Sequence, residues 1–311
     1  MSAILFRNLN KTYNGKRGVI DLNLKVDRGE IFGFIGPNGA GKSTTIRLLM
    51  QLIAPTSGEI FVLGHRVNGD DPQLRKKIGY LPGEVRLYPD MTGNQILNFT
   101  ANVYGINLKK SPIHDYAERL QWNGNQKVKS YSLGNRKKLG ILLALIHNPE
   151  LLVLDEPTSG LDPLVQQQFF QILREWNELK GTTVFFSTHI LTEVEKLCNQ
   201  VAIIRDGRLI QVSTLSEVSA AGEHFIEVSF SEIDELGQLQ ELYEVDRNTR
   251  CENGIYRFRI QDKELRSILA MLSKMPVKDL SVRRTSLEEK FMSEYVSGSD
   301  GGLRYEYNDA L

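Results

Sequence analysis

The sequence predicts an α/β fold, a mostly parallel sheet covered on both faces, followed by a small α+β appendage. Three observations lead there. Apolar runs at Ile31–Ile35, Leu151–Leu154, Thr183–Phe186 and Val201–Ile204 read as strands buried on both faces. Helical segments at Ser43–Ile53, Leu164–Leu179 and Leu191–Leu197 fall between them, the crossovers that parallel strands need. Beyond about Val212 the pattern turns to alternating strands, which read as half-exposed.

Along the chain, Ile4–Leu9 and Leu22–Val26 alternate apolar and polar residues and are half-buried strands. Ile31–Ile35 enters a glycine-rich loop and Ser43–Ile53 leaves it as a helix. Pro55 and Gly58 mark a turn before the strand Glu59–Leu63. From about Thr92 to His147 strand patterns give way to helix formers, so a helical insertion is expected. In the appendage Phe225–Phe230 and Ile255–Ile260 are strands and Asp262–Lys274 an amphipathic helix. A further strand and helix lie in Val277–Tyr295. The expected domains are therefore 1–212, with the insertion at 92–147, and 213–295. The polar, glycine-rich tail 296–311 is expected to be disordered.

The 311 residues suffice for one large and one small domain. Lys+Arg and Asp+Glu both number 38, and this balance argues against a nucleic-acid partner. Cys198 and Cys251 stand far apart without metal-ligand spacing and read as reduced thiols. The N-terminal run has no basic stretch ahead of an apolar core, so no secretory signal is expected. No apolar stretch approaches the roughly 20 residues of a membrane span, so the chain is not expected to cross a bilayer itself.

The chemistry begins with Gly36-Pro37-Asn38-Gly39-Ala40-Gly41-Lys42-Ser43-Thr44, which fits G-x-x-x-x-G-K-[ST] between a strand and a helix. Such a loop, a P-loop, wraps backbone N–H groups around phosphates and presents a helix N-terminus to their charge. Lys42 is placed to reach the β- and γ-phosphates of ATP, and the Ser43 hydroxyl to ligate Mg²⁺. Leu151–Leu154 runs into Asp155 and Glu156, two acids at the C-terminal edge of the sheet, where α/β folds bind ligands. Asp155 is expected to hold Mg²⁺ through its water shell. Glu156 is expected to polarise the attacking water or accept its proton. His189, at the end of a neighbouring strand, is expected to contact the γ-phosphate and that water.

These residues, with Tyr131-Ser-Leu-Gly-Asn135, Ser159-Gly-Leu-Asp162 and Ser187-Thr-His189, resemble the ATP-binding-cassette (ABC) transporter ATPases over about residues 3–215. The resemblance implies a P-loop NTPase cassette with a mostly parallel sheet core, an antiparallel β subdomain and a helical insertion. It implies that two copies pack head to tail with ATP between them. The signature residues Ser132, Leu133, Gly134 and Asn135 of one copy would then face the ATP of the other, Ser132 and Gly134 meeting its γ-phosphate. Tyr13 matches the aromatic that stacks on adenine, and Asp162 the residue lining the dimer seam.

Two departures stand out. The usual signature is LSGGQ, and the SLG form here resembles the antibiotic and multidrug efflux branch. Gly83 in Ile78-Gly-Tyr-Leu-Pro-Gly83 stands where the family usually has a glutamine, the Q-loop position. Thr285-Ser-Leu-Glu-Glu-Lys-Phe291 resembles a helix near the end of the efflux ATPases. The reading is an export motor, a homodimer docked on a separately encoded permease at the cytoplasmic face of the membrane. A soluble ABC ATPase acting on ribosomes or DNA, and an importer motor, are the alternatives.

Overall fold

The computed structural model describes residues 2–13, 16–67, 69, 71–215, 223–231, 245–246 and 249–284. The Thr285–Phe291 segment, the helix expected before Tyr295 and the tail lie outside them. The chain divides into two compact units, Met1–Leu215 and Ser216–Leu311.

The first unit starts with an antiparallel hairpin, β1 (Ser2–Tyr13) and β2 (Lys16–Asp27), and then β3 (Ile31–Ile35). Helix α1 (Lys42–Leu49) follows, then β4 (Ser57–Val62), the two-residue β5 (His65–Arg66) and the single turn α2 (Pro72–Arg75). The strand β6 (Ile78–Leu81) leads into the helical insertion, α3 (Gly93–Tyr104), α4 (Ile113–Arg119) and α5 (Leu133–Leu145). Then come β7 (Leu151–Asp155), α6 (Pro163–Lys180), β8 (Thr183–Thr188), α7 (Leu191–Leu197), β9 (Gln200–Arg205) and β10 (Arg208–Thr214).

Two sheets result. One is antiparallel, in the order β2-β1-β4-β5; the other runs β10-β9-β3-β8-β7-β6. In the second, β9, β3, β8, β7 and β6 pair in parallel and only β10 is antiparallel. Alternation along each buried strand separates two cores. Ile31, Leu152, Leu154, Val184 and Phe186 join the helices α4–α7 on one face. Phe32, Phe34, Leu151, Val153 and Phe185 pack with the antiparallel sheet and α1 on the other. Phe185 stacks on Phe32 at 6.0 Å there. Polar links bind the insertion to α6: Arg119 grips Glu175 with both terminal guanidinium nitrogens, at 2.7 and 2.8 Å, its Nε donates to Gln168, and Trp176 donates to the Tyr116 hydroxyl.

The differences from the sequence expectations have local causes. Helix α1 stops at Leu49 rather than Ile53 because Gln51 takes a left-handed φ of 58°. Strand β6 is a sheet edge the sequence did not announce: four residues with a central glycine offer too little pattern. The expected boundary at 212 falls inside β10, whose last residues pair with Gln200 and Val201.

The second unit contains a four-stranded antiparallel sheet, β12-β13-β11-β14. Its strands are β11 (Glu223–Phe230), β12 (Arg250–Glu252), β13 (Ile255–Gln261) and β14 (Val277–Arg284), with α8 (Leu265–Leu272) between the last two. Ile226, Val228, Tyr256, Phe258 and Ile260 form one apolar face, and Ile268 and Leu272 of α8 pack against it.

Candidate nucleotide-hydrolysis site

Because β3, β8, β7 and β6 are parallel neighbours, the loops after them meet at one sheet edge. The loop after β3 turns into α1 at Gly41, whose φ of 110° only glycine adopts without strain. A side chain there would also meet the Gly18 carbonyl at 2.7 Å. The Lys42 side chain is buried, and its ammonium donates to the carbonyl of Gly36 at 2.6 Å and of Pro37 at 3.3 Å. It also lies 3.4 Å from Oε1 of Glu156. The N-terminus of α1 contributes unpaired N–H groups and the positive end of its dipole, the basis for binding a multiply charged anion.

Every residue of β7 is buried, which drives its two terminal acids onto that edge. Asp155 accepts hydrogen bonds at Oδ1 from Ser187 at 2.8 Å and Ser43 at 3.3 Å. The Ser187 contact follows from register, since Asp155 and Ser187 are paired across β7 and β8. Glu156 has φ of 45°, a left-handed turn that costs a non-glycine residue energy and is met at functional sites. Its carboxylate lies between the Lys42 ammonium, 3.4 Å from Oε1, and Nδ1 of His189, 2.8 Å from Oε2.

Behind His189, Thr188 donates to the buried Glu193 at 2.7 Å and accepts from the Ile190 N–H. Burial pushes the Glu193 carboxyl up from its ordinary pKa, while hydrogen bonds from Thr158 and Thr188 pull it down. This carboxyl thus ties the segment after β7 to the segment after β8.

A cavity of about 340 Å³ opens over the loop, lined by Tyr13, Pro37, Asn38, Gly39, Lys42, Ser43, Thr44 and Glu156 among others. Gly36, Ala40 and Gly41 complete the turn beneath it, with Ala40 donating to the Pro37 carbonyl. Tyr13 stands on its wall, partly exposed. Gly83 belongs to the same edge, since a side chain there would begin 3.5 Å from Oδ2 of Asp155. Ser43 Oγ and Asp155 Oδ1 are hard oxygen donors on one spot, a set that suits Mg²⁺ shared with phosphate oxygens.

The remaining expected residues do not line that cavity. Ser132 caps α5, accepting from the Asn135 N–H at 3.2 Å. Leu133 is exposed and lies over Gly160. Gly134 packs so closely that a Cβ would meet the Gly160 carbonyl at 2.5 Å. Asp162 caps α6 through the Val165 N–H at 3.0 Å. Sequence reasoning gave no role to Ser187 or Glu193. The register of β7 and β8 carried the signal for Ser187.

A P-loop, an acidic strand end and a histidine on one sheet edge define a P-loop nucleotide hydrolase. The profile of the ABC transporter family matches residues 19–159. The bacitracin transport ATP-binding protein BcrA of Bacillus licheniformis is 32% identical over 307 residues, covering 97% of this chain and all of that protein. The Nod factor export ATP-binding protein I of Rhizobium etli is 38% identical over 215 residues, covering 68% of this chain and 67% of that one. A solved dimeric ATP-binding cassette in a post-hydrolysis state with ADP and Pi superposes with a TM-score of 0.61 and 25% identity. It covers 68% of this chain and 98% of that one. The chain belongs to the ABC transporter ATP-binding proteins, and it is an ATP hydrolase of that family.

Proposed function

We propose that this chain is the ATPase motor of an exporter, working as a head-to-tail homodimer on a separately encoded membrane permease. The observation that carries the reading is the match along the whole length of a bacitracin transport ATP-binding protein, appendage included. Among the described residues no helix is long and apolar enough to cross a membrane. Phe99 and Val103, one turn apart on α3, expose apolar side chains on the helical insertion, and Tyr88 exposes its ring in the loop after β6. This patch supports docking on a permease at the cytoplasmic face.

In this reading Lys42 and the N–H groups opening α1 hold the β- and γ-phosphates, with Tyr13 against the adenine. Ser43 and Asp155 hold Mg²⁺, which when bound neutralises phosphate charge. Glu156 accepts a proton from the attacking water at its carboxylate, and His189 orients that carboxylate and meets the γ-phosphate. Ser132 and Gly134 of one protomer, with Leu133 and Asn135 beside them, complete the partner's site, and Asp162 lies at the seam.

The test is a pull-down of Glu156→Gln with MgATP from detergent-solubilised host membranes. The reading expects a stoichiometric multi-spanning protein. Recovery of only soluble or ribosomal proteins would contradict it.

A further inference from the structure

Lys137 is an unusual residue for its place. It sits in the second turn of α5 and is only 1% exposed, among the largest fully buried side chains of the protein. A buried ammonium is costly unless its protons find acceptors. Here the acceptors are main-chain carbonyls of the loop after β6: Gly83 at 2.8 Å, with a longer contact to Pro82 at 3.4 Å. No third acceptor is present among the described residues. Burial lowers the affinity of this amine for its proton, and the charges of Asp155 and Glu156 raise it again, so the ammonium lies within the field of both carboxylates.

The rest of the helix face serves the same loop. Gly140, three residues further on, leaves no room for a side chain because Leu81 and Val85 press within 3.0 Å of where it would begin. Gly134, three residues earlier, packs on Gly160. One stripe of α5 thus touches both the loop after β6 and the loop after β7. A methionine or leucine at 137 would fill the slot without the desolvation cost, but it would leave the Pro82 and Gly83 carbonyls without this donor.

We propose that Lys137 is a positioning residue for hydrolysis: its ammonium clamps the Pro82–Gly83 turn beside Asp155, where Gly83 offers no side chain to anchor the loop. The clamp acts within one protomer and links the helix that carries Ser132 and Gly134 to the edge that carries the carboxylates. The inference rests on Asp155 and Glu156 forming the hydrolysis site.

The test is Lys137→Met, nearly equal in shape and uncharged, with Lys137→Gln, which keeps N–H donors, as the second variant. Steady-state ATPase, nucleotide titration and peptide-level hydrogen exchange are measured on the full chain. The clamp predicts faster exchange in the peptide spanning residues 79–88, with the β3–α1 peptides unchanged. It also predicts turnover lower by about tenfold or more, since small misplacements at a reacting centre are costly, with nucleotide affinity held within about threefold. Lys137→Gln should fall between Lys137→Met and the parent. Should Lys137→Met not fold, the exchange and turnover of Lys137→Gln decide. Unchanged turnover would overturn the clamp, as would lost turnover with unaltered exchange at 79–88 or with a matching loss of affinity. Glu156→Gln run in parallel separates the two failures: if it turns over normally, the reading of the site itself has failed.

Discussion

Nδ1 of His189 lies 2.8 Å from Oε2 of Glu156, while Oε1 of the same carboxylate lies 3.4 Å from the Lys42 ammonium. One acidic group, held at a left-handed backbone turn, therefore joins the loop after β3 to the segment after β8. Its two neighbours fix where its oxygens point, which is what a base for an attacking water requires.

Lys42 is the first place to test that arrangement. Lys42→Ala should weaken nucleotide binding by about 1.5–3 kcal/mol, the worth of a charge-assisted contact. Isothermal titration with ATP measures this. Unchanged affinity would remove the phosphate role from that lysine.

Gly134 has no space for a methyl group. A Cβ would lie 2.5 Å from the Gly160 carbonyl, so Gly134→Ala must shift one loop against the other. Such overpacking costs about 1–3 kcal/mol. If it falls on the face that meets the partner, dimer affinity drops roughly ten- to hundredfold. Sedimentation of Glu156→Gln with and without Gly134→Ala, in MgATP, reads the dimer directly. Equal dimerisation would show that this surface is not the seam.

His147 gives a pH signature of the fold. Its ring stacks on Tyr104 at 4.4 Å and Nε2 meets the Ile78 carbonyl, and burial lowers its pKa from the ordinary value. The unfolded chain therefore takes up this proton first. The contribution is present above the unfolded value of about 6.5 and is lost as pH falls through that value towards the lower folded one. Urea midpoints at pH 7.5 and 5.5 should fall further apart in the parent than in His147→Gln. Parallel losses would rule out a buried neutral imidazole.

Much of this was legible in the sequence, for physical reasons. The loop Gly36–Thr44 is a local motif, and a strand such as Leu151–Asp155 needs no partner to announce that it is buried. What was hidden depends on neighbours distant in the chain. Asp162 and Ser132 look like functional polar residues, and in the folded chain their side chains also serve as helix caps. Lys137 stands in the basic run Arg136-Lys-Lys138, which reads as a solvated face until the loop after β6 is laid over it. Strand β12 has three residues and is recognisable only through its pairing with β13.

The most direct measurement of the central claim is single-turnover hydrolysis by Glu156→Gln, with nucleotide binding and size followed in the same samples. The account predicts retained MgATP binding, hydrolysis slower by at least about a hundredfold as a general base is lost, and a persistent ATP-bound dimer. Near-normal hydrolysis would contradict it and show that Glu156 is not the catalytic carboxylate.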